Sequence, residues 1–416
     1  MTAWGATDRG GPLAGVKVLD FSRILSGPYA TLTLADMGAD VVKVEPLGKG
    51  DETRGFPPFK GPLSHYFIAL NRGKKSIALD LKDPRGVAVA KALAAQADIL
   101  IENFRPGVME RLGLGYDVLS QANPGLIYCG ISGFGAESPL TDKPAFDIVA
   151  QALSGAMSLN RAPGQPPNKL GLPLGDMAGS IFAVFGVLAA LHQRGETGKG
   201  QKVDVAMLDS LMAMLGYLAQ IYFVSGKKPE PVGTKHPSIV PYGAFPTSDG
   251  HVIVACLTET FWKSFARCLG LPELAEDPRF ARYDERLANR DALETIIDAR
   301  MRQETTAYWL ERLDAHDVPN APILDVDEAL EQPHVAARGL VQTVTHPEAG
   351  EMRVVRGPLR FDGKAPAVGR APPLLGEDTL EVLGEILGMD PAACAELVAG
   401  GVASVPLRDT VAAEEG

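Results

Sequence analysis

Apolar residues in the first third of the chain fall into short unbroken runs. VKVLDF (16–21), DVVKVE (40–45), SIALDL (76–81), DILIEN (98–103) and LIYCGIS (126–132) have the length and composition of strands buried on both faces. Between them, 28–38, 84–97 and 106–122 carry apolar residues at helical spacing. Pro28 and Pro84 lie near the starts, where a missing N–H leaves no hydrogen bond unmade. Strand and helix in alternation predict an α/β fold with a parallel sheet covered on both sides. Ligands of such sheets bind at the carboxyl ends of the strands, so the loops after Phe21, Glu45, Asn103 and Ser132 are expected round one crevice.

The most apolar helix lies within KLGLPLGDMAGSIFAVFGVLAALHQRG (169–195). From Met177 to His192 the only polar positions are Ser180 and His192, which predicts burial almost all round. Asp176 stands at its start between Gly175 and Gly179. As N-cap it would accept hydrogen bonds from the first turn and feel the positive end of the helix dipole, both of which favour its ionised form. The glycines leave room for another molecule to approach the carboxylate. A plain capping aspartate with glycines that only ease packing has the same pattern.

GETGKGQKVDVAM (195–207) then reads as a turn and short strand, followed by an apolar helix at 206–224. Between 225 and 248 the chain is rich in Gly, Pro and Lys, as in a linker to a second, smaller α+β domain. There HVIVACL (251–257) is a strand and 259–270, 284–302 and 305–315 are helices. Past 331 come loops and short strands, a helix at 377–388, and a polar tail after 403 expected to be mobile. The resulting division is 1–205 with 331–416 as a large discontinuous domain, 206–232 as linker helix and loop, and 233–330 as the small domain.

Composition narrows the function. A chain of 416 residues, 46% hydrophobic and 22% charged, is long enough for two cores. MTAWGATDRGG at the N-terminus is not a basic apolar signal, and the longest apolar run, near 177–191, falls short of the about 20 residues of a membrane span. The expectation is a cytoplasmic protein with no membrane partner. A net charge of −11 argues against nucleic acid as a partner. Cysteines 129, 256, 268 and 394 form no CxxC pair and the seven histidines show no metal spacing, so reduced thiols and no metal are expected. GISGFG (130–135) is neither GxSxG nor GxGxxG, and no GxxxxGK[ST] occurs. Basic residues cluster as Arg72, Lys74 and Lys75 in NRGKKS (71–76) and as Arg105 and Arg111 in ENFRPGVMERLG (102–113). Such clusters are either solvated faces or a seat for a ligand with several phosphates.

DFSRILSGPYATLTLADMGADVVKVEP, GDETRG, LNRGKKSIALDLK, ENFRPGVMERLGLGY, GLPLGDMAGS, GETGKGQKVDVAM and APPLLGEDT occur in this order between about residue 12 and residue 400. Together they resemble the class III coenzyme A transferases, the CaiB/BaiF family. The resemblance implies a Rossmann-like large domain built from both chain ends, a small domain between them, and a homodimer interlocked like links of a chain. It implies coenzyme A, as acyl-CoA substrate, and a small carboxylic acid as the partners, with Asp176 as the nucleophile that carries CoA as an aspartyl thioester. Family positions for CoA fall on Ile24, Leu25, Lys74, Lys75, Asn103, Phe104, Arg105 and Arg111. Pro46 stands where some relatives have an arginine, and the glycine-run loop of formyl-CoA:oxalate transferases is missing, which counts against oxalate.

Two other activities compete with transfer. The family's 2-methylacyl-CoA racemases need a histidine in a GHD triplet as second acid/base group, and the matching triplet here is Ala145-Phe146-Asp147. A non-catalytic acyl-CoA binding protein would not need the intact LGD segment. Gly175, Phe146 and Asp147 are expected beside the substrate. GTKHPSIVPYGAF (233–245) resembles the dicarboxylate, succinyl-CoA:glutarate-like, transferases, which implies succinyl-CoA as donor and makes Lys235, His236, Ser238 and Tyr242 candidate donors to a second carboxylate.

Overall fold

The computed structural model describes Trp4 and residues 10–406, which form two units. The first gathers the chain up to Ala156, Leu170–Gly216 and the segment from His334 onward; the second gathers Met157–Lys169 and Tyr217–Pro333. The tail from residue 407, expected to be mobile, lies outside the described residues.

In the first unit β1 (Lys17–Asp20), α1 (Ser26–Asp36), β2 (Asp40–Glu45), β3 (Lys74–Leu79), α2 (Pro84–Ala94), β4 (Ile99–Glu102), α3 (Tyr116–Ala122), β5 (Ile127–Ser132), α4 (Asp147–Leu153), α5 (Leu174–Thr197), β6 (Lys202–Ala206) and α6 (Met207–Met214) follow one another. The six strands pair in parallel in the order β3-β2-β1-β4-β5-β6, and Ala403–Ser404 adds antiparallel to the free edge of β3. Val18 stands opposite both Val41 and Ile99. Alternation along the strands sends Leu19, Val42, Ile77 and Leu100 into one core with Val89 and Leu93 of α2. Val18, Val41, Ile101 and Ile127 enter another core with Leu34 of α1 and Ala183 and Val187 of α5. Two buried faces are the reason the strands read as continuous apolar runs. The order reverses between β1 and β4, so the loops leaving their carboxyl ends part company and open a crevice.

The longer segment of the second unit opens with α7 (Tyr217–Ser225). It includes strands β7 (Tyr242–Pro246) and β8 (His251–Ala255), helices α8 (Glu259–Leu269), α9 (Arg290–Met301) and α10 (Thr306–Ala315), and β9 (Asn320–Pro322). Its antiparallel sheet has the order β9-β8-β7 and packs through Phe245, Val252 and Val254 on Trp262, Phe265, Ile297 and Trp309.

Some elements differ from the sequence expectation for identifiable reasons. β3 starts at Lys74 rather than Ser76, because Lys74 turns inward to an ion pair and can lie in a buried strand. The helix expected over 106–122 is interrupted at Gly113, φ +69°, and that over 206–224 breaks at Gly216, φ +50°. The end of the expected 225–248 linker is strand β7. Helix α5 is not buried all round. Gly175, Ala178, Gly179, Ala183, Val184 and Val187 face inward, whereas Ile181, Phe182 and Phe185 are 44, 37 and 60% exposed. At 24 residues α5 is long and apolar enough, by length and composition alone, to cross a membrane.

Candidate active site

Asp176 is the third residue of α5 and not its N-cap. The cap position is Pro173, which has no side-chain acceptor to offer, and the helix start is satisfied from outside. The carboxylate of Asp147, at the start of α4, accepts the Gly175 N–H at 2.7 Å and the Gln151 amide at 2.7 Å. Gln151 in turn accepts the Leu170 N–H at 2.9 Å, which ties down the segment leading to α5. A Cβ at position 175 would stand 3.0 Å from that Asp147 oxygen, and one at 179 would stand 3.3 Å from Met207. The room beside the two glycines is therefore taken by the protein's own α4 and α6, and not by a visiting molecule.

The environment of Asp176 pushes its carboxyl up, against the expectation from the helix dipole. Burial is the largest cause, the neighbouring Asp147 charge adds to it, and a hydrogen bond from Ser26 opposes it, leaving the value at about 7. Ser180 Oγ, one turn on, lies 2.7 Å from the Asp176 carbonyl and 2.6 Å from the Ser26 carbonyl and shares its one proton between them, which joins the first turn of α5 to that of α1. Tyr66 feels the same field. Burial and then the charges of Asp176, Asp51 and Asp147 push its hydroxyl up to about 12, so it stays a proton donor.

A cleft of about 170 Å³ runs past Asp176 at the point where the strand order reverses. Ile24, Leu25, Asn103, Phe104, Arg105 and Phe146 line it, as the sequence suggested, together with Arg23, Ser26, Thr141 and Lys143, which it did not single out. Arg105 and Lys143, with Arg23, which is paired with Glu52 at 2.5 Å, place cationic side chains on the cleft of Asp176. The Asn103 side chain is engaged within the loop after β1. Its oxygen accepts from Arg23 N at 2.8 Å, and its nitrogen donates to Arg23 O at 2.8 Å and Ser26 Oγ at 3.1 Å. Phe104 is held by its N–H on the Glu102 carboxylate at 2.8 Å, and the Arg23 guanidinium lies over its ring at 5.3 Å. A second cleft of about 460 Å³ shares Arg23 and Phe104 with the first and continues past Leu47, Leu79, Leu81 and Lys82.

Other candidate residues lie elsewhere. Lys74 is fully buried, with Nζ 3.0 Å from Asp20, and donates to Pro28 O and Asn71 Oδ1; this corrects its assignment to CoA. Arg72 is buried against Asp36 at 2.7 Å. Lys75 pairs with Glu381, and Arg111 is exposed and lines neither cleft. Lys235, His236, Ser238 and Tyr242 belong to the second unit. Lys235 is paired there with Glu294, and His236 stacks on Tyr217 with ring centroids 6.0 Å apart. The four cysteines are buried and free, and among the described residues no group of three His, Cys, Asp or Glu is placed to hold a metal.

Residues 13–379 match the family model described as CoA-transferase family III. The chain is 38% identical over 392 residues to the succinyl-CoA:glutarate CoA-transferase of Homo sapiens, covering 94% of this chain and 90% of that one. It is 41% identical over 354 residues to the acetyl-CoA:oxalate CoA-transferase of Acetobacter aceti, covering 85% and 90%. A crystal structure of a CAIB/BAIF family protein from Brucella suis superposes with a TM-score of 0.81 at 36% identity, over 90% of this chain and 99% of that one.

Proposed function

The chain belongs to CoA-transferase family III, and from that premise we propose that this enzyme moves coenzyme A from succinyl-CoA to a small dicarboxylic acid through a thioester on Asp176. The observation that carries the reading is a partly buried carboxyl, raised to about 7, in a cleft with Arg23, Arg105 and Lys143. Ionised Asp176 attacks the donor thioester carbonyl and expels the CoA thiolate, leaving a mixed anhydride. The thiolate attacks the aspartyl carbonyl, the donor acid leaves as carboxylate, and the aspartyl-CoA thioester remains. The acceptor carboxylate attacks that thioester and releases the thiolate again. The thiolate then takes the acceptor's acyl group and Asp176 is regenerated. Tyr66 stays protonated and can donate a hydrogen bond to an oxyanion, and burial keeps the anhydride from water.

The two clefts share Arg23 and Phe104 and together suit a long ligand. The reacting thioester belongs beside Asp176, with Ile24, Leu25 and Phe104 along the pantetheine arm, and the second cleft takes the nucleotide end, its phosphates toward Arg23 and Lys82 and away from the carboxylates Glu52 and Asp80 that line the same cleft. Asn103 serves this site by holding its wall. The parallel order β3-β2-β1-β4-β5-β6 supports the Rossmann-like reading of the large unit. The exposed Ile181, Phe182 and Phe185 of α5, with Tyr222, Phe223 and Val224 of α7, support the interlocked homodimer. Its place in the cell is proposed to be the cytoplasm, with no nucleic acid, membrane or metal as partner.

The names of the human and Acetobacter relatives favour dicarboxylates as a class, so oxalate returns to the panel of acceptors despite the missing glycine-run loop. The test is transfer of CoA from succinyl-CoA to each acid in the panel, with hydroxylamine added to trap the acyl enzyme. Transfer with inactivation by hydroxylamine only in the presence of donor is the expected result. Transfer that is indifferent to hydroxylamine overturns the covalent route.

A further inference from the structure

Ile24 holds φ +65°, and the two other non-glycine residues with positive φ among the described residues, Asp317 and Asp362, are of a type that tolerates it. A β-branched side chain does not. Ile24 lines the cleft of Asp176 in the loop between β1, which ends at Asp20, and α1, which starts at Ser26, so a relaxation to negative φ would redirect the chain into Leu25 and Ser26.

What holds it is visible. The Ile24 N–H donates to both oxygens of Asp51, at 3.2 and 3.3 Å. Lys43 Nζ donates to the Ser22 carbonyl at 2.6 Å and lies 3.0 Å from Asp51 Oδ2. Both ionic side chains have no solvent exposure. Asp51 is fixed in turn by the N–H and hydroxyl of Thr53 at 2.9 and 2.8 Å. The loop's carbonyl thus rests on the cation and its N–H on the anion. An ion pair that served only to join β2 to the following turn could be replaced by two apolar side chains at little cost in stability. The two hydrogen bonds to the loop are what such a replacement could not supply.

We propose that Lys43 and Asp51 are positioning residues of the transfer reaction, whose ion pair clamps the Ser22–Ile24 backbone and keeps Ile24 left-handed so that Ile24 and Leu25 wall the Asp176 cleft in one fixed form. The proposal rests on Asp176 being the acyl carrier. Removing either ion alone leaves the other buried and unpaired, so the informative variant is Lys43→Met with Asp51→Leu.

Lys43 also faces Asp20 and Glu45, which keep Lys74 and Arg54 as partners; the full-length double variant should therefore remain folded with a lowered melting temperature, and its kcat at saturating succinyl-CoA, measured below that temperature, should fall ten-fold or more. Adding Ile24→Gly, which removes the steric objection to positive φ, should return kcat at least three-fold, whereas Ile24→Gly in the wild type should not raise it. If the double variant does not accumulate as folded protein, the same rescue is measured on Lys43→Met with Asp51→Asn, which leaves neither ion unpaired and still removes the hydrogen bond to the Ser22 carbonyl. A kcat within two-fold of wild type, or no recovery with Ile24→Gly, overturns the clamp. Asp176→Ala is assayed alongside. Undiminished transfer there refutes the nucleophile, which is a different failure from that of the clamp.

Discussion

Asp147 accepts a hydrogen bond from the Gly175 N–H at 2.7 Å and thereby caps, from another helix, the helix that carries Asp176. The contact places a second carboxylate near the first. Its charge adds to burial in pushing the Asp176 carboxyl up to about 7. One residue therefore both orders the nucleophile's helix and moves its titration into the physiological range.

These two roles separate under substitution. Asp147→Asn keeps an oxygen for Gly175 and removes the charge, so the acidic limb of kcat/KM should move down by roughly one pH unit, while its new NH2 meets the Gln151 NH2 where an acceptor stood and costs about 1 kcal/mol of stability. Asp147→Ala should shift the limb likewise and also lose about 1 kcal/mol of stability with the cap. A pH–rate profile of Asp147→Asn that overlays the wild type would remove Asp147 from any electrostatic role.

Asp176→Asn should lower transfer by a factor of about 10³ or more and still stabilise the fold at alkaline pH. The fold pushes the carboxyl up to about 7 from an ordinary value of 3.8. Raised on folding, it contributes stability that is complete below the unfolded value and lost as pH rises through 7. Above that, the wild type carries a poorly solvated charge at a cost on the order of a few kcal/mol. Thermal melts should therefore place Asp176→Asn above the wild type at pH 8 and level with it near pH 4. Equal melting temperatures at both pH values would contradict the raised carboxyl.

Much of this was legible in the residues, and what was not has physical causes. The strand runs at 16–21, 40–45 and 126–132 marked the sheet because two-sided burial leaves no polar alternation to read. The strand pattern placed the loops after Phe21 and Asn103 round one crevice, and the family resemblance singled out Ile24, Leu25, Asn103 and Phe104 there; all four line the cleft where the strand order reverses. Lys74 was misplaced because a lysine at a strand entry looks solvent-bound until the buried Asp20 opposite it is known. The same blindness hid Lys43 and Asp51, whose pairing spans β2 and the following turn. Asp176 was read as its own cap because a cap supplied by Asp147, 28 residues earlier in the chain, leaves no local signature.

Phe146 lines the Asp176 cleft and is 65% exposed, so an acyl-CoA bound there meets a side chain that cannot carry a proton. Incubation of a chiral 2-methylacyl-CoA in deuterated water should give no deuterium at the α-carbon. Phe146→His is the sharper arm, since it restores the missing group beside Asp147. Rapid exchange by the unaltered enzyme would assign it to the racemases.

Substrate choice turns on the second carboxylate of the acceptor. In the loop 233–245, Lys235 is already paired with Glu294, which leaves His236, Ser238 and Tyr242 as candidate donors, and of these His236 carries a ring N–H whose state its neighbours fix. Its Nδ1 accepts from the backbone N–H groups of Ser238 and Ile239, both at 3.1 Å, so the ring proton resides on Nε2. Burial and then Arg290, which donates to the His236 carbonyl at 2.8 Å, lower the ring's affinity for a second proton. A neutral imidazole offering one N–H gains a charge-assisted hydrogen bond from a carboxylate and little from a methyl group. His236→Ala should therefore cut kcat/KM about ten-fold for succinate, glutarate and mesaconate and leave monocarboxylates of matched length within about two-fold. The neutrality of the ring adds a second signature, because the preference of the wild type should stay level from pH 8 down to pH 6.5, where a histidine of ordinary pKa would be half charged and would hold the carboxylate more tightly. If monocarboxylates serve equally well, or if His236→Ala leaves the preference unchanged, this loop does not read the distal carboxylate, and discrimination must come from the cations Arg23, Arg105 and Lys143 at the Asp176 cleft.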